Sequence, residues 1–295
     1  MKRKYTKRKY TKRKKQKRKR TNNQYGGYGK CFMNNDALVE SLPTSVDVIK
    51  IMKQVDRKHF CINTKRAYCD SPSQLMLGQT ISAPHMHARA LEYLLPKLTK
   101  GAKVLDVGSG SGYLVACFAE KINVNSPEVA NRGSVIGLEI HPELVEFSKT
   151  RIQKYMPHLL EYPDNCLLEE GSGWDGYPAG VRKEMYDAIH VGAACDTIPP
   201  FLFTQLKKTG ILVLPLRVGK GHKFCIVEKD KDNNMSILPK ESVRYVPLIV
   251  KTNYTKTKPK KKSNKIIYPY INENNPKIIP QQRYPKTITQ RFLTR

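Results

Sequence analysis

An acidic residue and a run of glycines follow one another at the end of a short apolar segment. Asp106 lies within the segment 104–107, and glycine then recurs at positions 108, 110 and 112. The segment predicts a buried strand, and residues 113–121 predict a helix. A strand that breaks into glycines and reopens as a helix brings backbone N–H groups close to a ligand. The spacing therefore predicts a ligand-binding turn.

The position of Asp106, two residues before the first glycine, bears on which ligand this is. Dinucleotide-binding folds usually use G-x-G-x-x-G with a phosphate at the helix N-terminus. Here the spacing is G-x-G-x-G, and a carboxylate beside it would repel a pyrophosphate. Glu139 ends the next predicted strand, where it could accept from ribose hydroxyls, and Ser172 with Gly173 would border an adenine. These features favour a cationic ligand without phosphate, S-adenosylmethionine. The alternatives are a turn without a ligand and a solvated surface acid at Glu139.

Strands and helices alternate along the middle of the chain. This order predicts an α/β fold with a doubly wound, mostly parallel sheet of the Rossmann-like type. Ligands of such sheets lie beyond the carboxyl ends of the strands, where Asp106, Glu139 and the loop after Gly171 all fall. The predicted strands are 104–107, 134–140, 165–169, 186–191, 211–215, 223–229 and 243–248, and the predicted helices are 36–60, 87–95, 113–121, 142–155 and 200–208.

The net charge of +28 is concentrated at the two ends of the 295-residue chain. Residues 1–35 carry 15 Lys and Arg and no acid, and residues 251–295 carry 12 against one acid, which leaves +2 for residues 36–250. We expect a disordered basic tail and linker at 1–35, one folded domain at 36–250 and a basic extension at 251–295. The tails could serve nuclear import or bind nucleic acid or another polyanion. The alternative is a solubilising extension.

The remaining composition bears on compartment and partners. No apolar run follows the first charges, and the most apolar stretch, 211–216, is too short to cross a membrane. The seven cysteines form no C-x-x-C pair and predict reduced thiols in an intracellular protein without a zinc site. We expect no membrane partner, a monomer, and a location in the cytoplasm, or in the nucleus because of the basic N-terminus.

The segment 78–87, which we call the substrate loop, precedes the glycine turn and should fold over it. Thr80 and Ser82 offer hydroxyl groups that could grip a carboxylate, and His87 could donate to it. The alternative is that Thr80 and Ser82 cap the following helix while His85 and His87 are surface polar groups.

Five blocks of the chain carry a family resemblance. They are residues 80–88 with Asp70-Ser71-Pro72 upstream, 105–112, 186–194, the Pro-Pro segment ending at Leu216, and 245–248. Together they resemble protein-L-isoaspartate (D-aspartate) O-methyltransferases over residues 36–248. The resemblance implies that the domain at 36–250 transfers a methyl group from S-adenosylmethionine to the free carboxyl of L-isoaspartyl residues in damaged proteins and peptides. The methyl ester then collapses to a succinimide, which initiates repair.

The resemblance also assigns residues. Ser82 matches the active-site position, and Thr80, Ile81 and His87 surround the substrate with it. The implied cofactor-binding residues are Gln79, Asp106, Gly108, Gly110, Glu139, Ile140, Ser172 and Gly173. No metal is implied.

Two departures from the family pattern stand out. Ser172 occupies a position where the family commonly has Asp, which predicts weaker cofactor binding. Ile249 follows the 245–248 block in place of the usual Thr, which bears on closure of the site. Two other functions remain as alternatives: a nucleic-acid methyltransferase, and a non-catalytic binding protein on a methyltransferase fold. Against the first, Ile198 precedes Pro199-Pro200-Phe201 and cannot accept from a base amino group, as the acidic or amide residue there would.

Overall fold

The computed structural model describes residues 29–249, so residues 1–28 of the predicted N-terminal tail and linker and all of the predicted extension at 251–295 lie outside the described residues. The chain starts with two helices, α1 (Asn35–Glu40) and α2 (Val46–Gln54), and a two-stranded hairpin of β1 (Ser73–Gln74) and β2 (Thr80–Ile81). The alternating region follows, with β3 (Lys103–Val107), β4 (Ser134–Glu139), β5 (Cys166–Glu170), β6 (Tyr186–Val191), β7 (Leu206–Val218), β8 (Gly221–Lys229) and β9 (Met235–Val243). The longer helices are α3 (Pro84–Leu94), α4 (Tyr113–Ile122) and α5 (Pro142–Tyr155), and α6 (Pro200–Gln205) is short.

The seven long strands form one sheet in the order β5-β4-β3-β6-β7-β8-β9. Neighbours from β5 to β7 are parallel, and β8 and β9 are added antiparallel. The prediction of a mostly parallel α/β sheet is confirmed. Because β3 lies between β4 and β6, the order in which strands are added to the sheet reverses there. The carboxyl ends of these parallel strands meet at one edge of the sheet.

Apolar side chains cover both faces of the central strands. One cluster packs the helices α2, α3, α4 and α5 against one face of the sheet, and it includes Val104, Leu91 and Phe118. The other packs α6 against the opposite face around Leu105, Ile189 and Leu212. Strands buried on both faces have nearly continuous apolar sequences, which is why β3 and β6 are readable from sequence.

Several element boundaries differ from the sequence prediction. The single helix predicted at 36–60 is two helices, α1 and α2, and α2 starts afresh after Ser45, whose hydroxyl accepts from Val48 N–H. The helix predicted at 200–208 ends at Gln205, because Leu206 already pairs with Tyr186 in the sheet. The pairing resumes at Ala188 with Ile211, so the intervening residues form a bulge with Thr209 at φ +62°. The lysines of this bulge prolong an apparent helical pattern in the sequence.

The prediction of a strand at 243–248 is also wrong. The last strand is β9, and its residues alternate between half-buried and exposed as an edge strand does. A tight turn in which Asp230 Oδ1 accepts from the N–H groups of Asp232 and Asn234 joins it to β8. Residues 244–249, which we call the strap, instead return across the carboxyl edge of the sheet, where Pro247 forms a bridge with Ala194.

The prediction that all cysteines are reduced is wrong for one pair. Cys31 and Cys69 form a disulfide, and the other five cysteines are free and buried. The two segments also lie side by side as backbone partners, since Gly29 N–H donates to Asp70 O and Asp70 N–H donates to Lys30 O, both at 2.9 Å. Cysteines 38 residues apart are thus adjacent only through chain pairing, which spacing cannot reveal.

The described part of the chain offers neither a membrane span nor a metal cluster. No helix within residues 29–249 is both long and apolar enough to cross a bilayer. No group of three His, Cys, Asp or Glu side chains in the same residues could hold a metal ion.

Candidate active site

The glycine turn after β3 is held against β4 by backbone hydrogen bonds. The N–H groups of Gly108 and Ser109 donate to Leu138 O at 2.7 and 3.2 Å. Gly108 and Gly110 have φ angles of +72° and +53°, a region that residues with side chains rarely adopt. A β-carbon on Gly192, at the end of β6, would lie 2.9 Å from Gly108 O. The turn therefore needs glycine for its own conformation, and the loop after β6 needs glycine at position 192 to approach it.

Glu139 closes this turn from the end of β4. Its Oε2 accepts from Gly110 N–H at 3.0 Å, and its Oε1 accepts from the N–H groups of Ile140 and His141 at 2.9 and 3.1 Å. The side chain is buried, so the alternative of a solvated surface acid is wrong. A carboxylate has about four acceptor positions. Oε2 therefore keeps room for one further donor, such as a ribose hydroxyl.

A pocket of about 560 Å³, measured to its open mouth, lies at the carboxyl edge over this turn. Apolar residues of the strap form one wall, with Val246 and Leu248 among them. Of the residues predicted from sequence, Gln79, Thr80, Gly108, Gly110, Glu139, Ile140 and Gly173 line the pocket, whereas Ile81, Ser82, His87, Asp106 and Ser172 do not.

Asp106 lies beside the pocket in the buried part of β3. Its Oδ1 pairs with Nδ1 of His190 at 2.7 Å, and both side chains are buried. The two residues are register partners in adjacent parallel strands. Asp106 thus has a protein partner that the sequence did not suggest, and its role as a cofactor ligand remains a prediction.

The substrate loop places Ser82 between two side chains from distant parts of the chain. Arg57 Nη2 donates to Ser82 O at 2.8 Å, and the side chain of Ser82 lies near enough to the Tyr245 hydroxyl to influence its pKa. Burial raises the pKa of Tyr245, so its hydroxyl stays protonated. The residue before α3 is Ala83, which provides no side-chain cap, and Thr80 lies in β2. The capping alternative for these hydroxyls is therefore wrong.

His87 is buried in the first turns of α3 and is not a surface group. Its Nδ1 lies 3.2 Å from Arg57 Nη1, and its ring lies 4.8 Å from the ring of Tyr113. Arginine can only donate, so Nδ1 must accept and Nε2 carries the proton. Burial, and then the charge of Arg57, hold the pKa of His87 well below its ordinary value. His87 is a neutral imidazole with an Nε2–H donor.

The strap is fastened over the pocket by three hydrogen bonds. Leu248 N–H donates to Ala194 O at 2.8 Å, and Ala194 N–H donates to Val246 O at 2.7 Å. The indole N–H of Trp174 donates to Leu248 O at 3.3 Å. Ser172 lies just beneath, where its Oγ accepts from Trp174 N–H at 3.3 Å. The side chain at the first departure from the family pattern therefore organises its own loop rather than lining the pocket.

Sequence reasoning missed four residues that shape this site: Arg57, Trp174, His190 and Tyr245. Each lies far along the chain from the group that it contacts, with separations of 25 for Arg57 to Ser82 and 84 for Asp106 to His190. A sequence signal existed for His190, because a polar residue in an otherwise apolar strand invites a search for a buried partner. Arg57 had no such signal.

The residues present fit S-adenosylmethionine. Glu139 offers the free acceptor position at Oε2, the glycine turn presents backbone without side chains, and Leu138 and Leu248 supply apolar walls. A β-carbon on Gly173 would lie 2.3 Å from the Val107 side chain, so this part of the wall tolerates no side chain. Gly108, Gly110, Glu139 and Ile140 are the residues that would hold it.

Comparisons with known proteins identify the family of this chain. The family model for protein-L-isoaspartate(D-aspartate) O-methyltransferase matches residues 33–253. Protein-L-isoaspartate O-methyltransferase 1 of Arabidopsis thaliana is 42% identical over 222 residues, which cover 72% of this chain and 90% of that protein. The Caenorhabditis elegans protein-L-isoaspartate O-methyltransferase is 42% identical over 199 residues, or 67% of this chain and 82% of that protein.

A solved structure shares the fold as well. A Plasmodium falciparum protein-L-isoaspartate O-methyltransferase, in complex with S-adenosyl-L-homocysteine, superposes with a TM-score of 0.67 at 34% identity. The match covers 74% of this chain and 99% of that one. On its sequence, its sheet and its pocket, this chain belongs to the protein-L-isoaspartate(D-aspartate) O-methyltransferase family.

Proposed function

We propose that this protein transfers a methyl group from S-adenosylmethionine to the free carboxyl of L-isoaspartyl residues in damaged proteins and peptides. The observation that carries the proposal is the joining of two sites by the substrate loop. Thr80 lines the pocket beside the glycine turn, and the same loop continues to the half-buried Ser82 and the buried His87, both of which contact Arg57. The product ester would collapse to a succinimide and so begin repair.

The reaction does not need a general base, because a carboxylate is already an anion at neutral pH. When bound, S-adenosylmethionine supplies an electrophilic methyl group on a sulfonium. Ser82 can donate its hydroxyl proton to one carboxylate oxygen, and the protonated hydroxyl of Tyr245 lies beside it. His87 donates through Nε2–H and, being neutral, does not quench the charge of the attacking oxygen. Catalysis of this kind comes from proximity and orientation, worth up to about 7–11 kcal/mol in favourable systems.

The decisive experiment measures transfer of a labelled methyl group to an isoaspartyl peptide, to its normal aspartyl twin and to a nucleic acid. We expect label only in the isoaspartyl peptide. Ser82→Ala should reduce turnover at least about tenfold, the loss of one hydrogen bond to a charged group. Ser236→Ala, on an edge strand, is the matched control. Labelled nucleic acid would favour the nucleic-acid alternative, and cofactor binding without transfer to any of the three would favour a binding protein.

We further propose that the basic tails bind nucleic acid or another polyanion, and that the protein acts as a monomer in the cytoplasm or nucleus. The charge of residues 1–35 supports the tail proposal, since a polyanion partner would release counterions on binding. Deleting residues 1–28 leaves Gly29 and Cys31 in the fold and should abolish binding to a labelled DNA duplex and to heparin while peptide methylation persists. Light scattering coupled to size-exclusion chromatography tests the monomer.

A further inference from the structure

Arg57 is a buried cation without an acidic partner. It is 1% exposed, and it forms no ion pair with any Asp or Glu of residues 29–249. Its Nε is buried and has no hydrogen-bond partner in that part of the chain. Lys229 is the instructive comparison: it is equally buried, but Glu184 lies 3.0 Å from its Nζ. A buried charge is costly unless it is paired, so Arg57 calls for an explanation.

The neighbours of Arg57 do not supply the missing anion. Asp70 is near enough for its charge to act on Arg57, but its Oδ1 is engaged by the backbone N–H and ring of His85. Burial raises the pKa values of Cys61 and Tyr113, so both stay protonated beside the guanidinium. Within the described residues no carboxylate is therefore in ion-pair contact with the cation, and Asp70 acts on it only from a distance.

The contacts of Arg57 point to the substrate instead. Its two terminal nitrogens donate to Ser82 O and to His87 Nδ1 at 2.8 and 3.2 Å. These are the two residues to which the proposed function gives the carboxylate of the substrate. The Arg57 backbone is itself fixed, because its N–H donates to Asn35 Oδ1 at 3.3 Å and Asp56 caps the turn that it starts.

We propose that Arg57 is the positioning residue that makes this site selective for a free carboxylate. The inference rests on the proposed function and adds the group that supplies the positive charge. Arg57 acts through its neighbours: it fixes Ser82 by the backbone carbonyl and fixes His87 as the tautomer with Nε2–H. Its charge draws an anion to those two donors.

An indirect role of Arg57, through Ser82 and His87, suits the reaction. A guanidinium in direct contact would form two parallel hydrogen bonds with the carboxylate and so hold both oxygens, one of which must attack the methyl group. Behind Ser82 and His87, the same charge attracts the anion through a low-dielectric interior and leaves the attacking oxygen without a cation in contact. A normal aspartyl residue also has a free carboxylate, but on its side chain and not on its main chain, so the choice between the two residues depends on the position of the charge and not on its presence.

The test compares two ligands of nearly equal shape, one with a charged carboxylate and one with a neutral carboxamide. An isoaspartyl peptide and the same peptide with an α-carboxamide are titrated by calorimetry into protein saturated with S-adenosyl-L-homocysteine, so no turnover occurs. We expect the unmodified protein to prefer the carboxylate about 10- to 100-fold, the worth of a hydrogen bond to a charged group. Arg57→Gln should bring that ratio close to one while affinity for S-adenosyl-L-homocysteine changes less than about twofold.

Two controls separate a charge effect from a folding effect. Lys229→Gln removes the other buried cation, which lies at the opposite edge of the sheet near Leu206, and should leave the ratio unchanged. Arg57→Lys keeps the charge and should keep most of the preference for the carboxylate.

Several outcomes would overturn the inference. The inference is wrong if the unmodified protein binds the two peptides about equally, a result that can be obtained without any variant. It is also wrong if Arg57→Gln still prefers the carboxylate peptide. Methyl transfer by the unmodified protein is measured in parallel. If it labels no isoaspartyl peptide, the proposed function fails first. If it labels the peptide but the ratio does not depend on residue 57, only the role of Arg57 fails.

Discussion

Replacing Glu139 with glutamine changes one oxygen for an amide nitrogen and removes the charge. In the native protein the carboxylate accepts three backbone hydrogen bonds, one of them from Gly110. If the glutamine oxygen keeps the bonds from Ile140 and His141, its NH₂ group must face Gly110 N–H, donor against donor. One charge-assisted hydrogen bond is then lost, at about 1.5–3 kcal/mol.

Two measurements follow from this number. The free energy of unfolding should fall by about 2 kcal/mol, and Tm by about 4–8 °C for a domain of this size. Because the free acceptor position at Oε2 also disappears, affinity for S-adenosyl-L-homocysteine should fall about 10- to 100-fold. Thermal denaturation and calorimetric titration measure the two effects separately.

Glu146→Gln is the matched control, since Glu146 is exposed on α5 and should change neither quantity. A Glu139→Gln protein with lowered Tm but unchanged affinity would show that the carboxylate only braces the glycine turn. Unchanged Tm as well would refute the reasoning from its hydrogen bonds.

Three further predictions concern the free energy of unfolding and the oxidation state of the cysteines. Gly112→Ala should lower the free energy of unfolding by about 1–3 kcal/mol in urea denaturation, because φ is +80° and a β-carbon would lie 3.0 Å from a serine of α5; Gly180→Ala, with φ +73° and open space around it, isolates the backbone part. Since burial holds the pKa of His87 well below its ordinary value in the folded protein, the unfolded chain takes up a proton below about pH 6.5 that the folded protein does not. Stability is then full above that pH and falls by up to about 1.4 kcal/mol per pH unit below it, a dependence that His87→Gln should remove. Alkylation of the denatured, unreduced protein should modify five of the seven cysteines, and mass spectrometry should find Cys31 and Cys69 unmodified.

Each of these has a result that would contradict it. Equal losses in Gly112→Ala and Gly180→Ala would mean that the contact with α5 adds nothing. An acid dependence that persists unchanged in His87→Gln would place the titrating group elsewhere. Alkylation of all seven cysteines would show that the disulfide does not form under the conditions of purification.

Much of the fold followed from local pattern. The strand at Tyr186–Val191 and the helix at Pro142–Tyr155 have the predicted bounds, because a buried parallel strand is a continuous apolar run and a proline marks the start of that helix. The last strand did not follow. β9 is an edge strand with few buried residues and a proline, so its pattern is weak, whereas the apolar strap resembles a strand but pairs only at an isolated bridge.

The sequence by itself determined the parts of the site whose chemistry is local. The glycines at 108 and 110, and the acid at the end of the next strand, are read from spacing because backbone conformation and strand ends are properties of short segments. Only the tertiary structure decided what stands behind the substrate loop. Arg57 contacts both Ser82 and His87 of this loop, and Tyr245 lies beside Ser82, although Arg57 and Tyr245 come from distant parts of the chain. Their charges, tautomers and pKa values depend on burial and on neighbours that chain order does not specify, because packing, and not spacing, sets which distant groups share a low-dielectric interior.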